Sequence, residues 1–296
     1  MTRHPRRLGF SLVELLVAMA ILALLAGLTL AAVQRVRSAA AKTDCANRLR
    51  QIGLAFHHYH GATGAFPAGV TVGGPAEPFR FMNWETRLLP YLEQEALWRQ
   101  AVEAYRLRPD EFRASPPHLI GTRVAAFVCP ADPLAGVPRT ISGITFAYTS
   151  YLGVSGTRQT RHDGTLYIDS KTRFADITDG TSNTLLVGER PPSTDGVYGW
   201  WYAGEGQNDD GSADSVLSTG ERPTSFRLLG CPTTPSVFGP GRPDDQCAAL
   251  HFWSMHTGGA HFALCDGSVR FIRYSAADIL PQLATRAGGE TASVPD

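Results

Sequence analysis

An uncharged apolar stretch near the amino terminus constrains this chain more than any other feature. Residues 15–33 are 19 consecutive residues without a charge, and a leader with three arginines, residues 1–9, precedes them. Glu14 is the only charged residue within 10–33. A helix over 10–33 would be about 35 Å long, enough to cross the hydrocarbon core of a bilayer. Because a lone carboxylate is costly in lipid, Glu14 must have a specific role.

Two general interpretations explain part of this segment. A secretory signal peptide has an apolar region of only about 7–15 residues before a small-residue cleavage site. Ala31 and Ala32 could supply such a site, but the apolar run is too long. A plain membrane anchor fits the length, and the leader arginines fit the positive-inside rule. An anchor alone does not account for Glu14 or for the junction of Gly9 and Phe10.

A third interpretation comes from a resemblance. The sequence GFSLVELLV at 9–17 resembles the processing site of type IV prepilins and type II secretion pseudopilins. The resemblance implies cleavage after Gly9 by a prepilin peptidase, methylation of the new amino terminus at Phe10, and a glutamate at mature position five, Glu14. It also implies that the Glu14 carboxylate pairs with the free amino group of a neighbouring subunit, which would offset desolvation of both charges and set the register between subunits. Glu14 would then be an assembly residue; a glutamate at the headgroup level is the alternative.

The same resemblance predicts a structural role and a location. It implies a subunit of a pilus- or pseudopilus-type fibre, linked to secretion, adhesion or uptake and not an enzyme. Its partners would be the prepilin peptidase, an inner-membrane assembly platform, and copies of itself or other pilin-like subunits. The protein would cross the inner membrane once with its body outside the cytoplasm, or stand in a fibre there. The alternative is a membrane-tethered module that binds a glycan, a peptide or an ion.

Composition narrows the class of the body. Loss of residues 1–9 leaves 24 basic against 27 acidic residues, so no basic surface argues for nucleic-acid binding. The 30 glycines and 20 prolines favour a body rich in strands and loops over a helical bundle. We therefore predict an α+β fold. The pilin resemblance implies a long amino-terminal helix, first transmembrane and then amphipathic, packed on an antiparallel sheet.

Periodicity divides the chain into segments. Apolar residues at three-to-four spacing predict that the membrane helix, 10–33, continues over 34–60. A globular domain follows at 61–283, with a Gly/Pro/Asp-rich insertion at 204–246 and a disordered tail at 284–296. A second helical stretch is expected over 84–106, and Pro90 should kink or divide it. The expected strands are 124–129, 144–154, 165–169, 184–188, 197–202, 261–265 and 268–273, and the last two flank an Asp-Gly turn typical of a hairpin.

Five cysteines allow two disulfides if the body lies outside the cytoplasm. Cys231 and Cys247 bracket a short loop and are the first candidate pair. Cys45 and Cys129 are the second, and this bond would join the long helix to the body. Cys265 is then a buried free thiol. The sequence lacks a C-x-x-C motif, so a zinc ribbon is not supported.

Most of the remaining chain resembles one large prepilin-like family of unknown function. The carboxyl-terminal signature of this family is H-x9-D-G. His256, Asp266 and Gly267 match this pattern. Other matching segments are NRLRQIGLA at 47–55, HHYH at 57–60, LPYLEQ at 89–94, CPADP at 129–133, TSY at 149–151 and ITDGTSNT at 177–184. The resemblance identifies a family but implies no activity.

Two groups of polar residues are candidate sites. His256 is expected to hydrogen-bond Asp266 across the end of the hairpin, and with His261 these side chains could instead bind zinc or another divalent ion. Calcium is the possible cofactor of a second set, Asp176, Asp179, Asn183 and Glu189, because oxygen ligands on a loop suit this ion. Ordinary turn hydrogen bonds explain the same residue types. No catalytic residues are predicted, since no nucleophile elbow, phosphate-binding loop or dinucleotide fingerprint is present.

Overall fold

A single helix of 52 residues, α1 (Leu12–Thr63), begins the described structure and confirms the predicted long helix. The computed structural model describes residues 11–74, 77–109, 118–206, 211–220, 231, 238–290 and 292–294. Residues 11–40 of α1 and its cap are exposed, whereas the second half buries a stripe at helical spacing that includes Leu49, Ile52 and Phe56. The helix ends where Gly64 takes a left-handed conformation, with φ of 83°.

Two helices follow within the helical stretch that Pro90 is expected to kink or divide. They are α2 (Trp84–Leu88) and α3 (Glu95–Leu107), and a 3-10 turn over Leu89–Leu92 lies between them. The Asn83 side chain accepts a hydrogen bond from the Thr86 amide and starts α2. The helical stretch expected over 84–106 is therefore divided, one of the two outcomes expected at Pro90. Pro90 in the 3-10 turn cannot donate a helical hydrogen bond, and Glu93 ends the turn at a φ of 59°.

The body is built on a five-stranded sheet. A separate hairpin pairs β1 (Arg139–Ile141) with β2 (Ile144–Phe146). The sheet strands are β3 (Tyr151–Gly156), β4 (Leu185–Glu189), β5 (Val216–Ser218), β6 (Gly259–Leu264) and β7 (Val269–Arg273). Their order is β5-β3-β4-β6-β7, and all neighbours are antiparallel except β3 and β5. The α+β prediction with a mainly antiparallel sheet is confirmed.

Several expected strands are absent from the described residues. The segment at 124–129 forms a 3-10 turn, and 144–154 divides into β2 and β3. The segments at 165–169 and 197–202 contribute isolated bridges only. Scattered backbone and side-chain hydrogen bonds take the place of a strand ladder here. The Phe127 carbonyl accepts from the Ser150 amide and the Thr149 hydroxyl, and the Cys129 amide donates to the Ser150 hydroxyl. Apolar runs whose backbone is satisfied in this way need no neighbouring strand.

The two faces of the sheet pack against two different hydrophobic cores. Side chains alternate along a strand. On β6, Ala263 therefore packs in the core shared with α1, and Phe262 packs in a second core. The carboxyl-terminal segment closes this second core through α4 (Leu280–Leu283) and Ala284. The expected disordered tail is therefore wrong over 284–290, where the Asp179 carboxylate also accepts hydrogen bonds from the Gly288 and Gly289 amides at 2.7 and 2.9 Å.

The predicted insertion at 204–246 also needs correction. Its residues Val216–Ser218 form β5, which pairs with β3 at the edge of the sheet. Other parts of it, at 207–210, 221–230 and 232–237, lie outside the described residues. At least its middle is thus an integral part of the sheet.

Helix α1 lies directly over the turn between β6 and β7. A Cβ atom on Gly53 would meet the Cα of Gly267 at 3.3 Å, so only hydrogen atoms separate the two backbones. Gly267 has a φ of 84°, as the predicted Asp-Gly hairpin requires. Beside this contact, His57 Nε2 lies 3.0 Å from the Cys265 carbonyl oxygen. The packing places the cysteine-bearing part of α1 above the sheet.

Candidate functional site

The first half of α1 is the one described helix long and apolar enough to cross a membrane. Its large side chains are exposed, from 46% at Val33 to 77% at Leu12. The Glu14 Oε2 atom accepts a hydrogen bond from the Ser11 amide at 2.9 Å, so the carboxylate lies at the helix start. The predicted processing residues Gly9 and Phe10 lie outside the described residues.

Both expected cysteine pairs are disulfides. Cys45 on α1 is bonded to Cys129, with Cα atoms 4.9 Å apart, and Cys231 is bonded to Cys247 at 5.5 Å. Cys265 is free and buried, and burial raises the pKa of its thiol. The first bond joins the long helix to the loop that follows the 3-10 turn, where Arg48 of α1 also donates to the Ala125 carbonyl at 2.7 Å.

A buried carboxylate between two histidines lies beside this disulfide. Glu189 ends β4, and its Oε2 accepts hydrogen bonds from the His261 amide at 2.6 Å and from the His261 ring at Nδ1, 3.1 Å away. Its other oxygen, Oε1, lies 3.3 Å from His256 Nε2. All three side chains are at most 6% exposed. Burial alone would raise the pKa of Glu189, but the neighbouring His256 and His261 side chains outweigh it, and the pKa lies below its usual value.

These contacts correct the predicted partner of His256. His256 precedes β6 and Asp266 follows it, so the six-residue strand, about 20 Å long, separates them. Asp266 instead accepts a hydrogen bond from the Ser268 amide within the turn, at 2.8 Å. His256 lies beside Glu189 because β4 and β6 are neighbours in the sheet. The expected set of His256, His261 and Asp266 is not brought together.

The predicted calcium ligands are also dispersed. Glu189 lies at the far end of β4 from Asn183 and is bonded to the histidines. Asp176 pairs with the Arg173 guanidinium at 2.9 Å, which lowers the pKa of the carboxyl group. Asp179 is bonded to the carboxyl-terminal segment. The alternative explanation, ordinary turn and loop hydrogen bonds, fits Asp176 and Asp179.

One grouping of side chains was not predicted from the sequence. One ligand-type atom from each of Cys45, Cys129, Glu189 and His256 lies within 4.8 Å of the other three, and all four residues are buried. His256 Nε2 is 3.6 Å from Cys129 Sγ. The motifs containing Cys129 and His256 were recognised separately, but only the tertiary fold shows that they meet. We call these four residues the buried ligand cluster.

A second buried group contains charges of both signs. Arg190 is fully buried and donates to the Pro191 carbonyl at 3.1 Å and to the Ala213 carbonyl. Burial lowers its pKa to about 10, while the carboxyl groups of Asp214, Asp132 and Glu85 oppose this shift. The Glu85 Oε1 atom makes no hydrogen bond to the part of the chain that is described. The arrangement links α2, the Asp132 turn and the end of β4.

An open cleft lies near the end of α1. Its volume is about 550 Å³, and its walls include the rings of Tyr59 and Phe79. Arg87 and Lys171 bring positive charge to its rim, and Glu77 and Asp169 bring negative charge. Aromatic faces beside charged and hydroxyl groups suit a polar ligand with an apolar side, such as a sugar or a peptide.

Two models of known protein families match the sequence of this chain. A family model described as a protein of unknown function, DUF1559, matches residues 34–278, most of the chain. The chain belongs to the DUF1559 family. A model of the prokaryotic N-terminal methylation motif matches residues 4–30 of this DUF1559 protein. No curated protein and no solved structure matches it significantly.

The two matches divide the DUF1559 protein as its structure does. The methylation motif covers the leader and the exposed apolar part of α1, and the family domain covers the remaining helix and most of the body, including the buried ligand cluster. The motif supports a pilin-like or pseudopilin-like prepilin and implies processing by a prepilin peptidase and assembly with other pilin-like subunits. The apolar half of α1 is consistent with membrane anchoring.

Proposed function

We propose that this protein is a structural subunit of a pilus- or pseudopilus-type fibre. It is made in the inner membrane, cleaved after Gly9, methylated at Phe10 and extracted by an assembly platform. The observation that carries the proposal is the methylation motif over 4–30, which runs directly into an apolar helix that the body leaves uncovered.

Uncovered apolar surface on this scale needs a partner. Residues 12–36 of α1 span about 37 Å of helix, and their large side chains are exposed. Soluble monomers seldom expose such a surface. Lipid would cover it before assembly, and the same segments of neighbouring subunits would cover it in the fibre core.

Glu14 supplies the register between subunits in this proposal. It is the only acidic residue from 11 to 43, and its carboxylate already lies at the helix start, next to the Ser11 amide. A charged amino terminus on Phe10 of a neighbour would find in it the one available counter-ion. Removing one member of a buried ion pair costs about 3–5 kcal/mol, or more than a hundredfold in the equilibrium for adding a subunit.

The test compares Glu14→Ala with Thr29→Ala in the native cell. Thr29 is an exposed polar residue of the same segment whose hydroxyl donates only to the carbonyls of its own helix, at 2.9 and 3.0 Å. Both variants should enter the membrane. Only Glu14→Ala should disappear from the sheared, sedimentable fibre fraction. Equal assembly of the two variants would contradict the proposed role of Glu14.

The cleft near the end of α1 favours a second candidate, a tethered ligand-binding module. Its aromatic and charged walls, described above, are already formed in the single chain. A module of this kind would bind a sugar or peptide as the full chain in detergent, and it would tolerate Glu14→Ala. Loss of ligand affinity in Arg87→Ala with undisturbed binding in Glu14→Ala would favour this candidate over the fibre subunit.

A further inference from the structure

The buried ligand cluster has the composition of a soft-metal site. Its members come from four separate parts of the chain: α1, the loop after the Ala125–Phe127 turn, the end of β4 and the loop before β6. Thiolate, imidazole and carboxylate are the three ligand types that Zn²⁺ takes in proteins, in sets of four around a tetrahedron. Such a site would be a function of the body alone and would not depend on fibre assembly.

The spacing already approaches that of a tetrahedral site. Zinc bonds of about 2.0–2.3 Å place neighbouring ligand atoms about 3.3–3.8 Å apart. His256 Nε2 lies 3.3 Å from Glu189 Oε1 and 3.6 Å from Cys129 Sγ. No pair in the cluster exceeds 4.8 Å. The Cys45 and Cys129 sulfurs are bonded to each other in this structure and must first separate. Once that bond is reduced, shifts of about 1 Å in each atom would bring all four onto one ion.

The Glu189 oxygen that faces the cluster, Oε1, has no hydrogen-bond donor of good geometry among the described residues. Glu189 is nevertheless only 1% exposed. The other oxygen is held by two donors of His261. The arrangement resembles that of a metal-bound carboxylate, whose outer oxygen is fixed by a hydrogen bond while its inner oxygen faces the ion. An orphaned oxygen in this position gives a second, independent indication of a ligand.

Charge balance supports a divalent ion. Two thiolates and the Glu189 carboxylate carry three negative charges, and a divalent ion together with Lys42 would carry three positive charges. Lys42 is close enough to Glu189 for their charges to interact, and its ammonium group lies 3.2 Å from the centroid of the Phe271 ring. A neutral buried group costs far less desolvation than an unbalanced one.

We propose that Cys45, Cys129, Glu189 and His256 bind one Zn²⁺ when the cysteines are reduced, so that a metal ion and a disulfide are alternative links between α1 and the body. On metal binding each of the two thiols loses a proton, two sulfur–zinc bonds form, and no electron moves. Conversion to the disulfide releases Zn²⁺ and joins the two sulfurs. As the two sulfurs join, two electrons pass to a thiol–disulfide exchange reagent, whose own disulfide bond breaks and whose two sulfurs take up two protons from water to become thiols.

Cobalt substitution tests the ligand set. The full chain, reduced with a phosphine in denaturant and refolded in detergent, is titrated with Co²⁺ and then with Zn²⁺. The proposal predicts one ion per chain, an intense near-ultraviolet thiolate-to-cobalt absorption band, and loss of this band on adding Zn²⁺. Cys45→Ser with Cys129→Ser should abolish the band, whereas Cys231→Ser with Cys247→Ser should retain it.

Two milder variants keep the test decisive if the serine variants fold poorly. Glu189→Gln and His256→Ala should each weaken cobalt binding at least about tenfold, while Asp266→Asn, in the turn at the other end of β6, should leave it unchanged. A band that survives loss of Cys45 and Cys129 would overturn the proposal. A reduced chain that binds no ion, or that stays unfolded with Zn²⁺ present, would overturn it as well, because the metal is proposed to replace the disulfide link.

A protection experiment measures the two alternatives against each other. The reduced chain is refolded with oxidised glutathione, with or without Zn²⁺, and its thiols are mapped by mass spectrometry. Zinc should keep Cys45 and Cys129 as thiols while Cys231 and Cys247 become a disulfide. Equal oxidation of both pairs in the presence of Zn²⁺ would contradict the proposal.

Discussion

Glu85 shows what charge burial does at the scale of single residues. It lies in the first turn of α2 and is fully buried, and one of its carboxylate oxygens, Oε2, accepts a hydrogen bond from the Asn83 amide group at 2.7 Å. Burial raises the pKa of Glu85 well above its ordinary value, even though Arg190 and Thr149 act in the opposite direction. The folded protein therefore favours the protonated form of this carboxyl group.

A substitution at Glu85 should reveal this preference. A carboxyl group with a raised pKa in the folded state contributes stability that is present below its unfolded pKa, near 4.5, and is lost as pH rises through the folded pKa. Glu85→Gln, which stays neutral, should match the wild type near pH 4 and exceed its free energy of unfolding by about 1–3 kcal/mol at pH 8. Thermal unfolding of the full chain in detergent between pH 4 and pH 8 measures the difference.

The control for this prediction is Glu95→Gln. Glu95 is half-exposed on α3 and pairs with Arg99 at 3.2 Å, so its loss should change stability little at any pH. If Glu85 is instead ionised as a partner of Arg190, Glu85→Gln will lower the stability at pH 8. That result would contradict the assignment.

Residue identities predicted some contacts of the site and not others. The two disulfides were expected from the number and placement of the cysteines, given a body predicted to lie outside the cytoplasm. The partner of His256 did not, because local spacing pointed to Asp266 while the pairing of β4 with β6 selects Glu189. A contact set by strand pairing across dozens of residues has no local signal in a single sequence.

At the scale of elements, the close packing of α1 on the β6–β7 turn is the main constraint. Gly53 faces the backbone of Gly267, and no side chain fits between them without movement. Gly61, on the same helix, is exposed, and a Cβ atom added there would have no neighbouring atom within 4 Å. Gly53 is therefore a test position for this contact, and Gly61 is a control position in the same helix.

Substitution of these glycines should separate packing from helix propensity. Leucine favours a helix by nearly 1 kcal/mol over glycine, so Gly61→Leu should be neutral or stabilising. Gly53→Leu gains the same propensity but forces α1 away from the turn, and it should lower the free energy of unfolding by about 1–3 kcal/mol. Thermal unfolding of the full chain compares the two; equal stability would show that the contact is not tight.

The sequence predicted elements well where a local pattern determines them. The periodic stripe gave α1, and the Asp-Gly pair gave the hairpin of β6 and β7. The expected break at Pro90 was confirmed, but the prediction failed where scattered backbone and side-chain hydrogen bonds take the place of a strand ladder, as at 124–129. Strand β5 was hidden in a segment of unusual composition, because three residues at a sheet edge carry almost no periodicity.

At the scale of the whole molecule, the two halves of α1 have different surroundings: the first half is exposed and the second half is packed in the body. The exposed half is long and apolar enough to cross a membrane, and the second half is part of the core of the DUF1559 body. The disulfide from Cys45 to Cys129 joins the helix to the body close to the change between these halves. Force applied to the helix would thus reach the loop at Cys129 through a covalent bond.

This division of the molecule was visible in the sequence because membrane insertion and processing depend on short local signals. The carboxyl-terminal segment was not, since its order depends on the distant Asp179 and on the second core. The assignment as a prepilin depends chiefly on the leader, and processing of the leader can be tested directly.

The decisive measurement is mass spectrometry of the amino-terminal peptide of the protein extracted from its native membranes. We predict a chain that begins at Phe10 and carries one methyl group on its amino nitrogen. A chain that begins at Met1 or Thr2 would contradict this prediction and would favour an uncleaved anchor for a tethered module. A chain that begins near Gln34 would show an ordinary signal peptide and exclude a fibre built on α1.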